Sequence, residues 1–162
     1  MISFQRCIKV LQKDIDEVEK IFKSMLDELK KNYDIKLIYV FGSYAKGNNT
    51  KNSDLDIAVL FGDGYDYMDK LNLIGDLISI FKRDDIDLVV LNTANPVLRH
   101  QIIKFGKLIF EENEDIKVEF EVKTLREYMD MEPFRRTQME FVKEWIENVL
   151  EGDYDKKHIG NN

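Results

Sequence analysis

Short runs of β-branched and aromatic residues alternate along this sequence with longer segments whose apolar residues recur every three or four positions. The short runs predict strands, and the longer segments predict amphipathic helices. Strands are expected at 35–41, 54–61, 86–91 and 107–110, and helices at about 4–31, 66–82, 96–105, 116–130 and 134–150. Such an alternation favours a small sheet flanked by helices, in the α+β (α/β) class.

One domain accounts for most of the chain. Its 162 residues, 44% of them apolar, suffice for one hydrophobic core. We expect a single domain over 1–152, comprising an N-terminal helix (about 4–31), a central core (about 35–111) and C-terminal helices (about 116–150), before a flexible polar tail at 153–162.

Charge and cysteine content exclude several classes of protein. The balance of 24 basic against 31 acidic residues, a net charge of -7, argues against general nucleic-acid binding, which needs clustered cations. The one cysteine, Cys7, permits no internal disulfide and agrees with a reducing compartment. No apolar run approaches the roughly 20 residues that span a bilayer. We therefore expect a cytoplasmic protein without membrane or direct nucleic-acid contacts.

Acidic residues open two of the predicted strands. Asp54 and Asp56 lie two positions apart at the head of the second strand, so both project from one face. Adjacent carboxylates raise each other's pKa unless a cation lies between them, and Mg²⁺ is the hard cation that best suits oxygen ligands. Asp87 opens the third strand, and Asp85 has the same parity and could replace it. Three aspartates on neighbouring strands can hold two metal ions about 4 Å apart, which suits an in-line phosphoryl displacement.

A Gly-Ser turn follows the first predicted strand. Gly42 can adopt a positive φ, which allows the sharp turn that the chain must make there. The backbone N–H groups of this turn, the Ser43 hydroxyl and the Lys46 ammonium could together cradle the phosphates of a nucleotide. The turn therefore predicts a phosphate-binding loop between the first strand and the acids.

Other residues near these motifs have two interpretations. Arg99, Lys104 and Lys107 could form a positive patch beside the site, or they could be ordinary solvated charges. Tyr44 could stack on a base or pack inside the protein.

The Gly-Ser pair, ten intervening residues and Asp-x-Asp resemble the signature of nucleotidyltransferases with a DNA polymerase β-like fold. The fuller pattern, Gly-Ser-x-Ala-Lys-Gly and then Ser-Asp-x-Asp, is similar to the minimal nucleotidyltransferases, the MNT proteins. Lys46 stands where that family often has arginine, which keeps the charge and loses a bidentate phosphate contact. Further segments resemble the MntA-type antitoxin branch of HEPN/MNT toxin–antitoxin pairs: Asp87–Asn92, Pro96–Arg99, Ile103–Phe110, and Phe120–Asp130 followed by Pro133.

The resemblance implies a polymerase β-like core with a small mixed sheet and a defined reaction. Such antitoxins transfer AMP from ATP to a tyrosine of a small helical HEPN ribonuclease toxin and so neutralise it. By the resemblance, Asp54 and Asp56 ligate Mg²⁺, with two ions expected, and Asp87 ligates one of them and helps to deprotonate the tyrosine. The implied nucleotide-binding residues are Gly42, Ser43, Lys46 and Ser53.

Two rival functions remain open. The first is an antitoxin that neutralises its toxin by stoichiometric binding without catalysis. The second is a small-molecule nucleotidyltransferase of the antibiotic-modifying kind. Those enzymes usually carry a further substrate domain, for which this chain has little room.

Overall fold

A mixed four-stranded sheet lies at the centre of the computed structural model, which describes residues 14–158. The strand order is β3-β2-β1-β4, with β1 antiparallel to both β2 and β4, and β2 parallel to β3. The strands are β1 (Ile35–Phe41), β2 (Leu55–Phe61), β3 (Ile86–Val90) and β4 (Lys107–Glu111). All four predicted strands are confirmed within one residue at each end.

Six helices complete the described chain. They are α1 (Ile15–Asn32), α2 (Gly42–Lys46), α3 (Tyr67–Phe81), α4 (Pro96–Phe105), α5 (Glu114–Asp130) and α6 (Glu132–His158). The part of the first helix expected before residue 14 lies outside the described residues. None of the helices in the described part of the chain is both long and apolar enough to cross a membrane.

Each face of the sheet is covered by helices. On one face, α1 and α3 pack on the strands, and Phe22 of α1 meets Phe81 of α3 edge to face with ring centroids 5.1 Å apart. On the other face, Ile102 of α4 and Phe120 of α5 pack against Tyr39 and its neighbours. The parallel pairing of β2 with β3 requires a crossover connection, and α3 supplies it.

Local capping fixes where the central helices begin. The Asp66 carboxylate accepts bonds from Met68 N and Asp69 N, while the Asp69 carboxylate accepts from Asp66 N, which makes a capping box for α3. Asn95 caps α4 by accepting from Leu98 N. These two caps set the helix entries on either side of β3.

The chain divides into two compact units, with the boundary between residues 125 and 126. The first holds the sheet with α1 to α4 and most of α5. In the second, Arg135 lies over the Tyr128 ring, 3.8 Å from its centroid, and donates to Tyr128 O across the break between α5 and α6. Whether 1–152 acts as one domain stays a prediction.

The last helix is longer than the sequence pattern indicates. It begins at Glu132 rather than Phe134, because proline is tolerated in a first helical turn and Pro133 lies there. It runs to His158 rather than ending at Leu150, since one glycine inside a helix costs only about 1 kcal/mol. The expected tail thus begins inside a helix, and 159–162 lie outside the described residues.

We predict that Phe22→Ala lowers the free energy of unfolding by about 3–5 kcal/mol, because it empties a buried site between α1 and α3. Urea titration of both proteins measures the change. Tyr67→Ala, at a 70% exposed aromatic on α3, is the control and should change the free energy by less than about 1 kcal/mol. Equal effects of the two substitutions would contradict this packing.

Candidate active site

Two aspartates become neighbours through the pairing of β2 with β3. Asp56 is the second residue of β2, Asp87 is the second residue of β3, and the two are register partners in the parallel ladder. Asp54 lies directly before β2 and has the same parity as Asp56. Side chains of one parity share a face of a strand, so the three predicted acids gather at one end of the sheet.

Electrostatic repulsion acts within this group. The pKa of Asp56 is raised, first by burial and then by the negative charges of Asp87 and Asp54. Asp56 is half-buried, whereas Asp54 and Asp87 are exposed. Burial and two neighbouring negative charges therefore favour the binding of a cation at this innermost carboxylate.

The Gly-Ser turn touches the same carboxylate. Gly42 has a φ of +69°, and a Cβ at this position would lie 2.0 Å from Asp56 Oδ2. Only a residue without a side chain fits both the backbone conformation and this approach. The glycine thus brings the start of α2 against the innermost acid.

The other predicted nucleotide-binding residues have different surroundings. Ser43 is half-buried in α2, and Lys46 is exposed at the end of that helix. The Ser53 hydroxyl accepts a bond from Thr50 N at 2.8 Å and thus stabilises the loop that leads to Asp54.

The neighbours of Asp85 and Asp87 indicate which of the two is the third carboxylate of the site. Arg83 forms a fork to Asp85, with Nε 2.5 Å from Oδ1 and Nη2 2.6 Å from Oδ2. Hydrogen bonding from Arg83 lowers the pKa of Asp85. Because Asp85 already has a cation and Asp87 faces Asp56, the geometry favours Asp87 as the third carboxylate.

Arg83 is the residue near the site that sequence reasoning missed. Besides Asp85, its guanidinium donates to the Tyr44 hydroxyl and, at 2.6 Å, to the Ser53 carbonyl oxygen. Tyr44 is buried, so of its two interpretations the structure favours packing. An arginine two positions before an aspartate was the available signal, but its spacing predicts nothing about the two distant partners.

The expected basic patch is divided. Lys107 pairs with Glu19 of α1 at 2.7 Å and with Asp16 at 3.4 Å, so its charge is engaged by the first helix. Lys104 lies over the Phe105 ring, 5.0 Å from its centroid, and Arg99 is buried. The three cations therefore have separate environments.

The carboxylate oxygens are the donors that Mg²⁺ prefers, and their mutual repulsion suits a cation. Within residues 14–158, however, no three Asp, Glu, His or Cys side chains are already gathered in a metal-binding arrangement. Asp54 and Asp87 are exposed and have room to turn. The acids fit a divalent cation chemically and would have to close around it.

A family model described as "Polymerase beta, Nucleotidyltransferase" matches residues 23–115, which include the sheet, the Gly-Ser turn and all three acids. The chain belongs to this nucleotidyltransferase family. The polymerase β-like fold expected from the sequence is confirmed, and the mixed four-stranded sheet is its core.

Similar proteins indicate which branch of the family this nucleotidyltransferase resembles. The protein adenylyltransferase MntA of Shewanella oneidensis is 35% identical over 141 residues, which cover 87% of this chain and 93% of that protein. The MntA of Aphanizomenon flos-aquae is 28% identical, over 85% of this chain and 97% of that protein. The expected resemblance to MntA-type protein adenylyltransferases is therefore confirmed.

Solved structures agree with these relatives. A toxin–antitoxin crystal structure with AMP-PNP contains a chain with a TM-score of 0.66 and 34% identity, covering 77% of this nucleotidyltransferase and 98% of that chain. A structure of tri-AMPylated Shewanella oneidensis HEPN toxin with MNT antitoxin matches with a TM-score of 0.61 and 31% identity, over 77% of this chain and 98% of that one.

We predict that two glycine substitutions separate backbone strain from contact with the acid. Gly47 has a φ of +70°, and a Cβ added there would meet nothing within 4 Å, so Gly47→Ala should cost only about 1–2 kcal/mol of unfolding free energy. Gly42→Ala adds the clash with Asp56 and should destabilise the nucleotidyltransferase more, as measured by urea titration. Equal losses would contradict the contact.

We also predict opposite stability effects for two aspartates. The folded-state pKa of Asp56 is raised, so its ionised form destabilises the fold at pH 7, and Asp56→Asn should raise the unfolding temperature in EDTA. The folded-state pKa of Asp85 is lowered, so its charge stabilises the fold above the unfolded pKa near 3.8, and Asp85→Asn should lower that temperature.

Thermal scans at falling pH supply the check. The stabilisation from Asp85 should be lost as the pH falls through its folded pKa, whereas protonation should remove the penalty from Asp56. A lower unfolding temperature for Asp56→Asn at pH 7 would refute the repulsion among these carboxylates.

Proposed function

We propose that this protein is an antitoxin that transfers AMP from ATP to a tyrosine of a cognate HEPN ribonuclease toxin and thereby neutralises it. The observation that carries the proposal is the grouping of Asp54, Asp56 and Asp87 beside the Gly-Ser turn. Support comes from the MntA relatives, which are named protein adenylyltransferases, and from the related structure that holds a tri-AMPylated HEPN toxin.

The donor is proposed to be ATP, because a related toxin–antitoxin structure holds AMP-PNP. Gly42 and Ser43 would bind the triphosphate, with Gly42 letting the backbone approach it closely. Lys46 would add a positive charge at the end of α2. Ser53 would contribute to nucleotide binding by stabilising the loop before Asp54, where its hydroxyl accepts a bond from Thr50 N.

Asp54, Asp56 and Asp87 would hold two Mg²⁺ ions. When bound, Mg²⁺ neutralises charge on the phosphates and stabilises the leaving group. Each of these carboxylates would supply oxygen ligands, and Asp56 lies against Gly42 and beside its register partner Asp87.

Transfer would proceed by in-line displacement. The tyrosine oxygen forms a bond to the α-phosphorus, and the bond from that phosphorus to the oxygen bridging to the β-phosphate breaks. Pyrophosphate leaves with the electron pair, and the phenolic proton passes to the Asp87 carboxylate, which is exposed at the strand end where an acceptor can reach it. The product is a tyrosine–AMP phosphodiester.

The partner is proposed to be a HEPN toxin in a hetero-oligomeric complex, acting in the cytoplasm without membrane or nucleic-acid contacts of its own. Neutralisation by binding alone is the second candidate, because the related structures contain toxin and antitoxin together. The two differ in whether Asp56 is needed for protection.

We predict that the protein, incubated with its cognate toxin, ATP and Mg²⁺, adds one or more AMP residues to a toxin tyrosine. Intact-mass and peptide mass spectrometry detect the addition. Asp54→Asn and Asp56→Asn should each lower the rate by at least about 100-fold, because each removes a metal-ligating charge. EDTA should abolish transfer.

Asp63→Asn is the matched control, since Asp63 is exposed in the turn after β2, at the end of the strand opposite to the site. Its rate should equal that of the unsubstituted protein. A toxin that stays unmodified would refute the proposed AMP transfer. Full protection of cells by the Asp56→Asn variant would favour neutralisation by binding.

A further inference from the structure

Arg83 joins three segments that are distant in sequence. Its guanidinium donates to the Tyr44 hydroxyl in α2, to the Ser53 carbonyl oxygen in the loop before β2, and to the Asp85 carboxylate before β3. The side chain is only 17% exposed. Four donor–acceptor contacts on one part-buried guanidinium therefore connect α2, the β2 entry and the β3 entry.

Each of these segments carries part of the candidate active site. Tyr44 follows the Gly-Ser pair, and Ser53 directly precedes Asp54. Asp85 lies two residues before Asp87. The guanidinium thus bonds to residues that lie within two positions of the Gly-Ser turn, of Asp54 and of Asp87. None of its four hydrogen bonds goes to Asp54 or Asp87 themselves.

We propose that Arg83 is a positioning residue that sets the spacing of Asp54, Asp87 and the Gly-Ser turn and keeps Asp85 out of the metal-binding group. The inference rests on the proposed function for what these residues bind. It adds a residue that neither the family signature nor the sequence periodicity indicates.

The chemistry of arginine explains the choice of residue. A guanidinium has five donors in a rigid plane, so it can grip a carboxylate with two atoms while still reaching a carbonyl and a hydroxyl. A lysine ammonium keeps the charge but is a single point that cannot hold this planar set of partners.

Loss of Arg83 would affect the acids in two ways. The bond from Leu55 N to Asp85 O would still join the start of β2 to the start of β3, but the loop that ends at Ser53 would lose its side-chain partner, so the position of Asp54 relative to Asp87 would be less fixed. Asp85, two residues before Asp87, would also lose the cation that holds both of its carboxylate oxygens. Displacements of about 1 Å in reacting groups can lower a rate by about 100-fold.

The matched control is Lys36, another part-buried cation with two carboxylate partners. Its Nζ lies 2.8 Å from both Asp34 Oδ1 and Glu112 Oε2, and its side chain is 23% exposed. It lies near the start of β1, whereas the acids lie beyond the other end of that strand, where Phe41 pairs with Asp56. Lys36→Met therefore removes a comparable ion-pair cluster far from the site.

The experiment compares Arg83→Met, Arg83→Lys and Lys36→Met as purified full-length chains below their unfolding temperatures. Mn²⁺ binding with AMP-PNP present is measured by the electron paramagnetic resonance of free Mn²⁺, and kcat and KM for ATP are measured with the cognate toxin. We expect Arg83→Met to bind Mn²⁺ at least about five-fold more weakly and to lose about 10- to 100-fold in kcat. Arg83→Lys should recover less than half of either loss on a logarithmic scale, and Lys36→Met should change neither by more than about two-fold.

An Arg83→Met protein that is folded, binds Mn²⁺ as tightly as or more tightly than the unsubstituted chain, and keeps kcat within about three-fold of Lys36→Met would overturn the inference. Full recovery by Arg83→Lys would also overturn it, because charge alone would then suffice. If the unsubstituted protein binds Mn²⁺ but transfers no AMP, the proposed function fails, and the Mn²⁺ comparison still decides the role of Arg83.

Discussion

Because β2 and β3 run parallel, their starting ends lie at the same edge of the sheet, and Asp56 and Asp87 become direct neighbours. An antiparallel pairing would have placed the start of one strand beside the end of the other. The crossover through α3 is what allows the parallel arrangement, and the apolar face of α3 holds it against the sheet. The candidate site thus depends on a long-range strand pairing that the hydrophobic core stabilises.

This strand pairing brings together carboxylate side chains that repel one another. Asp56 is half-buried beside two other carboxylates, and it lies against the backbone of Gly42. The rest of the fold must offset that repulsion, as is common where function requires charges in close proximity. A bound cation would turn the same repulsion into attraction, which explains why an unfavourable cluster can be useful.

Much of the fold could be predicted from the sequence because its strands carry strong local signals. Five of the seven residues in the run 35–41 are β-branched or aromatic, and the run forms β1 with the predicted bounds. Asp56 and Asp87 could each be selected from the local pattern because each lies at the start of a strand, but their position as neighbours depends on the parallel pairing of β2 with β3. The end of α6 could not be placed from the local pattern, because a single glycine only weakens a helix.

Side chains that act across long sequence separations left no such signal: Arg83 bonds to residues 30 and 39 positions away, and no periodicity in the sequence connects them. Such contacts depend on the assembled sheet, so they become visible only once its strand order is known.

Asp85 and Asp87 show how one such contact separates two similar residues. They lie two positions apart, share a parity and precede or open the same strand. Arg83 lowers the pKa of Asp85 and occupies both of its carboxylate oxygens, so Asp85 serves the structure. Asp87 instead faces Asp56 and contributes to the raised pKa of that residue. The difference between a structural acid and a candidate metal ligand therefore lies in the position of one guanidinium.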